Sequence, residues 1–393
     1  MKKGWQKKQL GDIIQKTEMV DPLQSPETEF DYIDVSSVSN STFQIEGTHR
    51  LKGKDAPSRA RRLVRAKDVI FATVRPTLQR IAIVPEHLDN QICSTGYLIL
   101  RPKAEIDHRF VFYSLFTENF MSQMKSLQKG ASYPAVTDGE VRAQMIPLPP
   151  LPEQRRIVGI LDKAFEGIAT AKANAERNLQ NARAVFESHL QSAFTQRGKG
   201  WTFRKISEVA NHSLGKMLDK AKNKGKPQPY LRNINVRWFA FDLSDLLQMP
   251  FLPEESAKYT AVKGDVMICE GGYPGRAAIW AQDYPIYFQK ALHRVRFHEP
   301  MHNKWFVYYL YAQDRSGELK RHFSGTGIQH FTGEALARFE LPLPPIPELR
   351  RAVSKFEELS TETQRLATIY QRKLATLEEL KKSLLHQAFT GNL

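Results

Sequence analysis

Ile146-Pro-Leu-Pro-Pro-Leu-Pro-Glu-Gln-Arg-Arg156 is followed, 195 residues later, by Leu341-Pro-Leu-Pro-Pro-Ile-Pro-Glu-Leu-Arg-Arg351. Eight of the eleven positions are identical, and two of the other three are Leu/Ile exchanges. A proline-punctuated strand end opening into a helix is common, but its near-verbatim return is not. Solenoid repeats run ~20–50 residues. This period is the length of a whole domain plus a linker, so the chain reads as a tandem duplication. Its function should then involve two similar sites held at a set separation.

The likeness spreads outward from the two motifs. Gly4-Trp5 returns as Gly200-Trp201, Tyr32–Val38 as Tyr230–Val236, and Lys67-Asp68-Val69-Ile70 as Gly264-Asp265-Val266-Met267. Arg80-Ile81-Ala82-Ile83 matches Arg276-Ala277-Ala278-Ile279, and Phe110-Val111-Phe112-Tyr113 matches Phe306-Val307-Tyr308-Tyr309. Short β-branched and aromatic runs bounded by Gly, Pro and Asn, with a helical stretch over 110–128, predict an α+β domain in each copy. The expected division is 1–150 and 198–345 for the two domains, with long helices over 151–197 and 346–393.

Those helices follow from spacing. Apolar residues recur at Ile157, Leu161, Ala164, Ile168, Ala171, Ala175, Leu179, Ala182, Phe186, Leu190 and Ala193 in steps of three and four. The second copy runs Val353, Phe356, Leu359, Leu366, Tyr370, Leu374, Leu377, Leu380, Leu384 and Ala388, with Thr363 weakening the stripe. A narrow apolar seam with charged outer faces predicts helix against helix. At ~1.5 Å per residue, each apolar stripe of ~42 helical residues would extend ~63 Å. The first helix leads from one domain to the other and the second leaves the second domain, so they should pair antiparallel and return Leu393 near Met1. The matching ends Ser192-Ala193-Phe194-Thr195 and Gln387-Ala388-Phe389-Thr390 predict such a closure, with a pseudo-two-fold axis.

Composition narrows the function. Among 393 residues there are 57 Lys and Arg against 42 acids, a net charge of +15, which favours a polyanionic partner. The only two cysteines, Cys93 and Cys269, lie in apolar strand-like stretches without metal-ligand spacing, which fits a reducing cytoplasm. No apolar run approaches a membrane span, and the amino-terminal lysines lead into no signal-peptide core. None of the Gly-Lys pairs at Gly53, Gly198, Gly215 and Gly225 is followed by the Ser or Thr of a phosphate loop, and HExxH is missing. Leu148 and Leu343, rather than a polar residue, precede the Pro-Pro pairs where an amino-methyltransferase would hold a base amine. Gly271-Gly272-Tyr273-Pro274-Gly275 reads as a turn. The expectation is a chain with no catalytic residues, metal or cofactor of its own.

Binding residues are easier to nominate. His49–Lys67 carries Arg50, Lys52, Lys54, Arg59, Arg61, Arg62, Arg65 and Lys67 against Asp55 alone, and 216–237 carries seven Lys or Arg against Asp219. A basic run in each copy predicts two phosphate-facing surfaces. Candidates for reading base edges are Ser36, Arg75, Gln79, Arg80 and Tyr133 in the first copy. In the second they are Arg232, Asn233, Asn235, Arg276, Gln289, Lys290, Gln329 and His330. Scaffold positions match between copies whereas these do not, so the two sites should prefer different sequences.

With its paired proline motifs, its long helices and Ala56-Pro57-Ser58-Arg59-Ala60-Arg61-Arg62 ahead of Lys67-Asp68-Val69-Ile70, the whole chain resembles the specificity subunit of Type I restriction–modification systems. The resemblance implies two target-recognition domains, each binding half of a bipartite double-stranded DNA sequence through the major groove. It makes the helices a ruler for the gap between the halves and the docking site for two modification (methyltransferase) subunits. Those subunits would carry S-adenosylmethionine, and restriction subunits using ATP and Mg would join through them. Docking is expected at the joints, through Pro149, Pro150, Glu153, Gln154 and Arg155 and through Pro344, Pro345, Glu348 and Arg350. Leu349 replaces Gln154 in the second joint, so the two docking sites are unequal if that glutamine contributes to docking, and the sequence leaves their equivalence open. The alternative is a coiled-coil adaptor whose globular ends hold proteins rather than DNA. Steep salt dependence of duplex binding separates the two, because phosphate contacts release counterions.

Overall fold

The computed structural model describes residues 4–196, 198–219 and 223–393. Met1, beside which the sequence places Leu393, and Lys220 and Lys222 of the second basic run lie outside the described residues. The chain divides into two compact units, Met1–Glu176 with Arg372–Leu393 and Arg177–Gln371. Both are α+β.

Each unit is built on a strand buried along its whole length, Val69–Ala72 in one and Val266–Cys269 in the other. Four successive apolar side chains leave no face for water, which makes these central strands. Val69–Ala72 runs antiparallel between Ile81–Ile83 and Tyr97–Leu100, with Val69 opposite Ile83 and Leu100. Val266–Cys269 runs antiparallel between Ala277–Ile279 and Leu292–Phe297, with Val266 opposite Ile279 and Val295. A second sheet in each unit centres on a parallel pair, Tyr32 with Ile92 in one and Tyr230 with Tyr287 in the other. Offsets of 195 to 198 read from the sequence thus carry the same register in the structure.

A charged lock sits at the entry of each central strand. Arg101 donates to both oxygens of buried Asp68 at 2.9 and 2.8 Å, and the Arg65 N–H adds a third bond at 2.8 Å. Arg296 repeats this on buried Asp265 at 2.7 Å to each oxygen, with the Val262 N–H at 2.8 Å. A carboxylate withdrawn from water requires partners of this kind.

The repeated proline motif begins as a strand and ends as a helix. Met145–Leu148 pairs with Gln6–Gln9, and Glu340–Leu343 pairs with Thr202–Lys205. Long helices of 45 residues then follow, Leu151–Thr195 and Ile346–Thr390. The carbonyls of Pro150 and Pro345 accept the first helical N–H bonds, from Glu153 and Gln154 and from Glu348 and Leu349. An acid in the first turn of each, Glu153 and Glu348, complements the helix dipole.

Within the first unit, Ile157, Val158 and Leu161 of the first long helix pack with Leu385, Ala388 and Phe389 of the second, and Lys172 pairs with Glu378 at 2.8 Å. Arg156 donates to the Leu393 carbonyl at 2.7 Å, so the two segments run antiparallel there. Within the second unit, Phe186, Leu190 and Phe194 share a core with Leu349, Val353 and Phe356, and Thr363 Oγ1 reaches the Ala182 carbonyl. These contacts too are antiparallel. The twin helix ends do equivalent work: Phe389 lies 4.9 Å from Phe110, and Phe194 lies 4.7 Å from Trp305.

Two local expectations need correction. Leu380 is 45% exposed rather than in the seam. Lys381 takes the inward place, its ammonium 4.6 Å from the Phe43 ring and 5.4 Å from that of Phe165, where cation–π attraction offsets lost hydration. The helix expected over 110–128 is two helices, His108–Ser114 and Glu118–Leu127. Thr117 breaks it: its hydroxyl donates to the Ser114 carbonyl and accepts from the Phe120 N–H. The second copy has Gln313 there and one unbroken helix, His302–Ser316.

Candidate nucleic-acid interface

In each unit three chain segments meet beyond the end of the buried central strand. The first is a tight turn at 34–38 or 232–236. In one, the Asp34 N–H bonds Ser37 Oγ at 3.1 Å; in the other, the Arg232 N–H bonds Asn235 Oδ1 at 2.9 Å. An arginine braces each turn. Arg80 donates to the carbonyls of Val35, Ser36 and Val38, and Arg276 donates to the Asn233 carbonyl at 2.9 Å.

The second segment follows the central strand. In the first unit it places Arg75 and Gln79 at φ of 49° and 54°, a left-handed conformation that side chains rarely adopt. In the second unit Gly272 and Gly275 take positive φ at 77° and 84°. The third segment is a small loop closed by backbone bonds, Lys129 with Ala135 and Ser324 with His330. It packs on the second segment through the Arg75 N–H to the Pro134 carbonyl and, in the other unit, the Phe331 N–H to the Glu270 carbonyl. Arg75 also lies 5.0 Å over the Tyr133 ring, and Arg276 lies 4.9 Å over Tyr273.

The structure therefore gathers Ser36, Arg75, Arg80 and Tyr133 around one cluster, and Asn233, Arg276 and His330 around the other. Ser36, Arg75, Tyr133 and Gln329 are exposed. Arg80 and Arg276 are half-buried, with guanidinium groups committed to the turns. Asn235 is buried, and its side chain caps the turn and donates to the carbonyls of Asp242 and Asp245. It corresponds to Ser37 and is a structural residue rather than a reader. Arg232 pairs with Asp245 at 2.7 Å, and Asn233 donates to the Gly271 carbonyl. Gln289 is half-buried on the second sheet, and Lys290 beside it is exposed. Gln79 is turned elsewhere, lining a groove of about 760 Å³ with Lys7, Ser114, Phe120 and Leu385.

The basic runs are less free than their sequence suggests. Arg50 pairs with Glu29 and Asp31, Lys52 and Lys54 with Glu27, and Arg61 with Asp21. Arg62 pairs with Asp138, Arg65 with Glu18, and Lys67 with Glu86. Of the eight, only Arg59 has no carboxylate partner among the described residues. In the second run Lys216 is buried against Glu255 at 2.6 Å and Arg237 pairs with Asp242, while Lys224 and Lys226 have no carboxylate partner among the described residues. Exposed pairs are worth only ~0–1 kcal/mol, so a phosphate can displace the carboxylate at most of these positions. Buried Lys216 is unavailable.

At the joints the burial of the two motifs coincides. Pro149 and Pro344 are buried, Pro150 and Pro345 exposed, Glu153 and Glu348 half-buried, and Arg155 and Arg350 exposed. Gln154 and Leu349 are both buried. Gln154 donates to the Pro149 carbonyl at 2.8 Å and accepts from the Asp107 N–H at 2.9 Å, so it holds the joint from inside and offers no docking contact. The Leu349 exchange accordingly changes the interior, not the surface. Glu348 accepts from Trp201 Nε1 at 2.9 Å.

Sequence reasoning passed over the Asp68–Arg101 and Asp265–Arg296 locks, although the drift of 195 to 198 residues between the copies also relates these pairs. It also missed Glu270, whose carboxylate lies 3.6 Å from His330 Nδ1.

The family model described as Type I restriction modification DNA specificity domain matches residues 2–178 and again 198–374. The MjaVIII specificity subunit of Methanocaldococcus jannaschii, a Type I restriction enzyme component, is 25% identical over 326 residues, 77% of this chain and 74% of that protein. The EcoKI specificity subunit of Escherichia coli is 21% identical over 323 residues, 77% of this chain and 69% of that protein. The solved HsdS subunit from Thermoanaerobacter tengcongensis is 29% identical, covering all of this chain and 98% of its own, with a TM-score of 0.68. A chain from work on complex assembly and conformational transition of the type I R-M system is 28% identical, covering all of this chain and 99% of its own, with a TM-score of 0.86.

Proposed function

The chain belongs to the Type I restriction–modification DNA specificity family, and on that footing we propose that each of its two units reads one half of a bipartite duplex sequence for a methylase complex. The chain is the targeting, non-catalytic member of such a complex. The observation that carries the reading is the double match of the specificity domain, each copy holding the same three-segment cluster. The adaptor alternative has no observation in its favour.

In this reading residues 1–150 and 198–345 are the recognition domains, and 151–197 and 346–393 set the gap between half-sites. Ser36, Arg59, Arg75 and Tyr133 contact one half-site, while Arg61 and Arg62, largely buried against Asp21 and Asp138, shape the surface beside them. Arg232, Asn233, Lys290, Gln329 and His330 contact the other. Arg80 and Arg276 act by holding the turns in shape. Two modification subunits dock at the joints through Pro150, Arg155, Pro345 and Arg350, exposed at equivalent positions. Those subunits supply S-adenosylmethionine, and restriction subunits with ATP and Mg act through them in the cytoplasm. Among the described residues no helix is long and apolar enough to cross a membrane.

Sequencing of methylated DNA from cells carrying this chain and its methylase tests the reading. A motif of two specified halves around an unspecified gap is expected. A continuous motif would overturn it.

A further inference from the structure

The two small closed loops share more than position. Gly130 and Gly325, 195 residues apart, have φ of 104° and 105°. A Cβ on Gly130 would lie 2.9 Å from the Tyr133 carbonyl, and one on Gly325 would lie 2.3 Å from the Ile328 carbonyl. Each glycine thus lets the chain fold tightly under one residue, which it lifts into solvent. Those residues, Tyr133 at 72% and Ile328 at 74%, are the most exposed large apolar side chains among the described residues.

A single exposed apolar side chain needs no explanation. The same loop lifting one at the same position in both copies does, because the neighbouring reading positions have diverged. The surroundings indicate what covers the tips. Exposed Lys125 and Lys129 flank the first loop, with Arg75 over the Tyr133 ring. Exposed Lys320 and Arg321 flank the second, with Lys320 the counterpart of Lys125. An apolar point in a basic rim suits a duplex, whose phosphates take the rim while a base step takes the point.

We propose that the loops 129–135 and 324–330 are a matched pair of wedges, Tyr133 and Ile328 entering the base stack, one at each half-site. This rests on the reading that the chain binds duplex DNA. It adds that part of the recognition is through deformability of the step entered rather than hydrogen bonds to base edges.

The test uses the full chain with its methylase partners and a duplex bearing the motif methylated in its host. Fluorescent 2-aminopurine is placed in each half-site in turn. Binding of the unaltered complex should raise fluorescence in both. Tyr133→Ala should abolish the rise in one half-site only and Ile328→Ala in the other, each weakening binding about tenfold. The slope of affinity against salt should not change, because no phosphate contact is lost. Tyr133→Phe and Ile328→Leu should restore both signals, which separates wedge loss from misfolding. Unstacking and affinity that survive both alanine changes would overturn the wedges. So would a loss confined to methylase assembly, which would make the tips protein contacts. If the unaltered complex bound duplex weakly and without salt dependence, the parent reading itself would fail.

Discussion

Gln154 and Leu349 occupy equivalent buried places beneath the two joints, one bonded at both ends of its amide and the other packed among apolar neighbours. Exchanging them should be costly in either direction. Gln154→Leu removes the acceptor of the Asp107 N–H, and an unsatisfied buried donor costs ~1–3 kcal/mol. Thermal unfolding should move down accordingly while the second joint is unaffected. His293 offers a pH prediction. It is buried, with Nε2 2.9 Å from the Phe331 carbonyl and Nδ1 without a partner. Burial draws its pKa down from 6.5 to about 4. Between those values the unfolded chain takes up a proton that the folded chain refuses. Stability therefore falls as pH drops from about 6.5 to about 4, by roughly 3 kcal/mol when the whole shift is expressed. His293→Leu, copying Leu98 of the first unit, should flatten that part of the denaturation profile. His108, His212, His302 and His322, also drawn down by burial, keep a remainder of the slope. None of this was legible beforehand, because a residue's letter carries neither its burial nor its partner.

At the scale of elements, the long helices were the most legible part of the chain. A stripe sustained over 45 residues averages out local exceptions such as Thr363. Short elements do not average. The break at Thr117 depends on one hydroxyl, and the inward turn of Lys381 in place of Leu380 depends on two aromatic rings that come from far away in the chain. The central strands were not singled out beforehand, since a four-residue apolar run alone does not distinguish a buried strand from a buried turn of helix. If the helices set the gap between half-sites, adding four residues to the middle of each should add ~6 Å. That is about two base pairs at ~3.4 Å each, and the methylated motif should gain a correspondingly longer gap. An unchanged gap would remove the ruler from the account.

For the whole molecule, the net charge of +15 predicted a polyanionic partner, but the basic runs are less free than their letters suggest. Seven of the eight cations in the first basic run are matched by acids, several of them, such as Asp138, distant in sequence. Pairing of that kind is a property of the fold and cannot be counted along a line. Because most of these pairs are exposed and weak, duplex affinity should still fall steeply between low and moderate salt, by orders of magnitude for several phosphate contacts. Replacing 198–345 with the corresponding part of a relative should change one half of the methylated motif and leave the other intact. A chimera that altered both halves would argue against independent reading by the two units.

The core around Trp5, Phe110, Ile157 and Leu161 is completed by Leu385, Ala388 and Phe389. On the ribosome, the first unit must therefore wait for 372–393, which emerges only after the entire second unit has been made. The first domain to be translated is the last to be sealed. A chain stopped upstream of Arg372 lacks Leu385, Ala388 and Phe389, and should leave Trp5, Phe110, Ile157 and Leu161 without their cover. The apolar side chains so uncovered should make the shortened first unit far easier to cleave in limited proteolysis than the full chain.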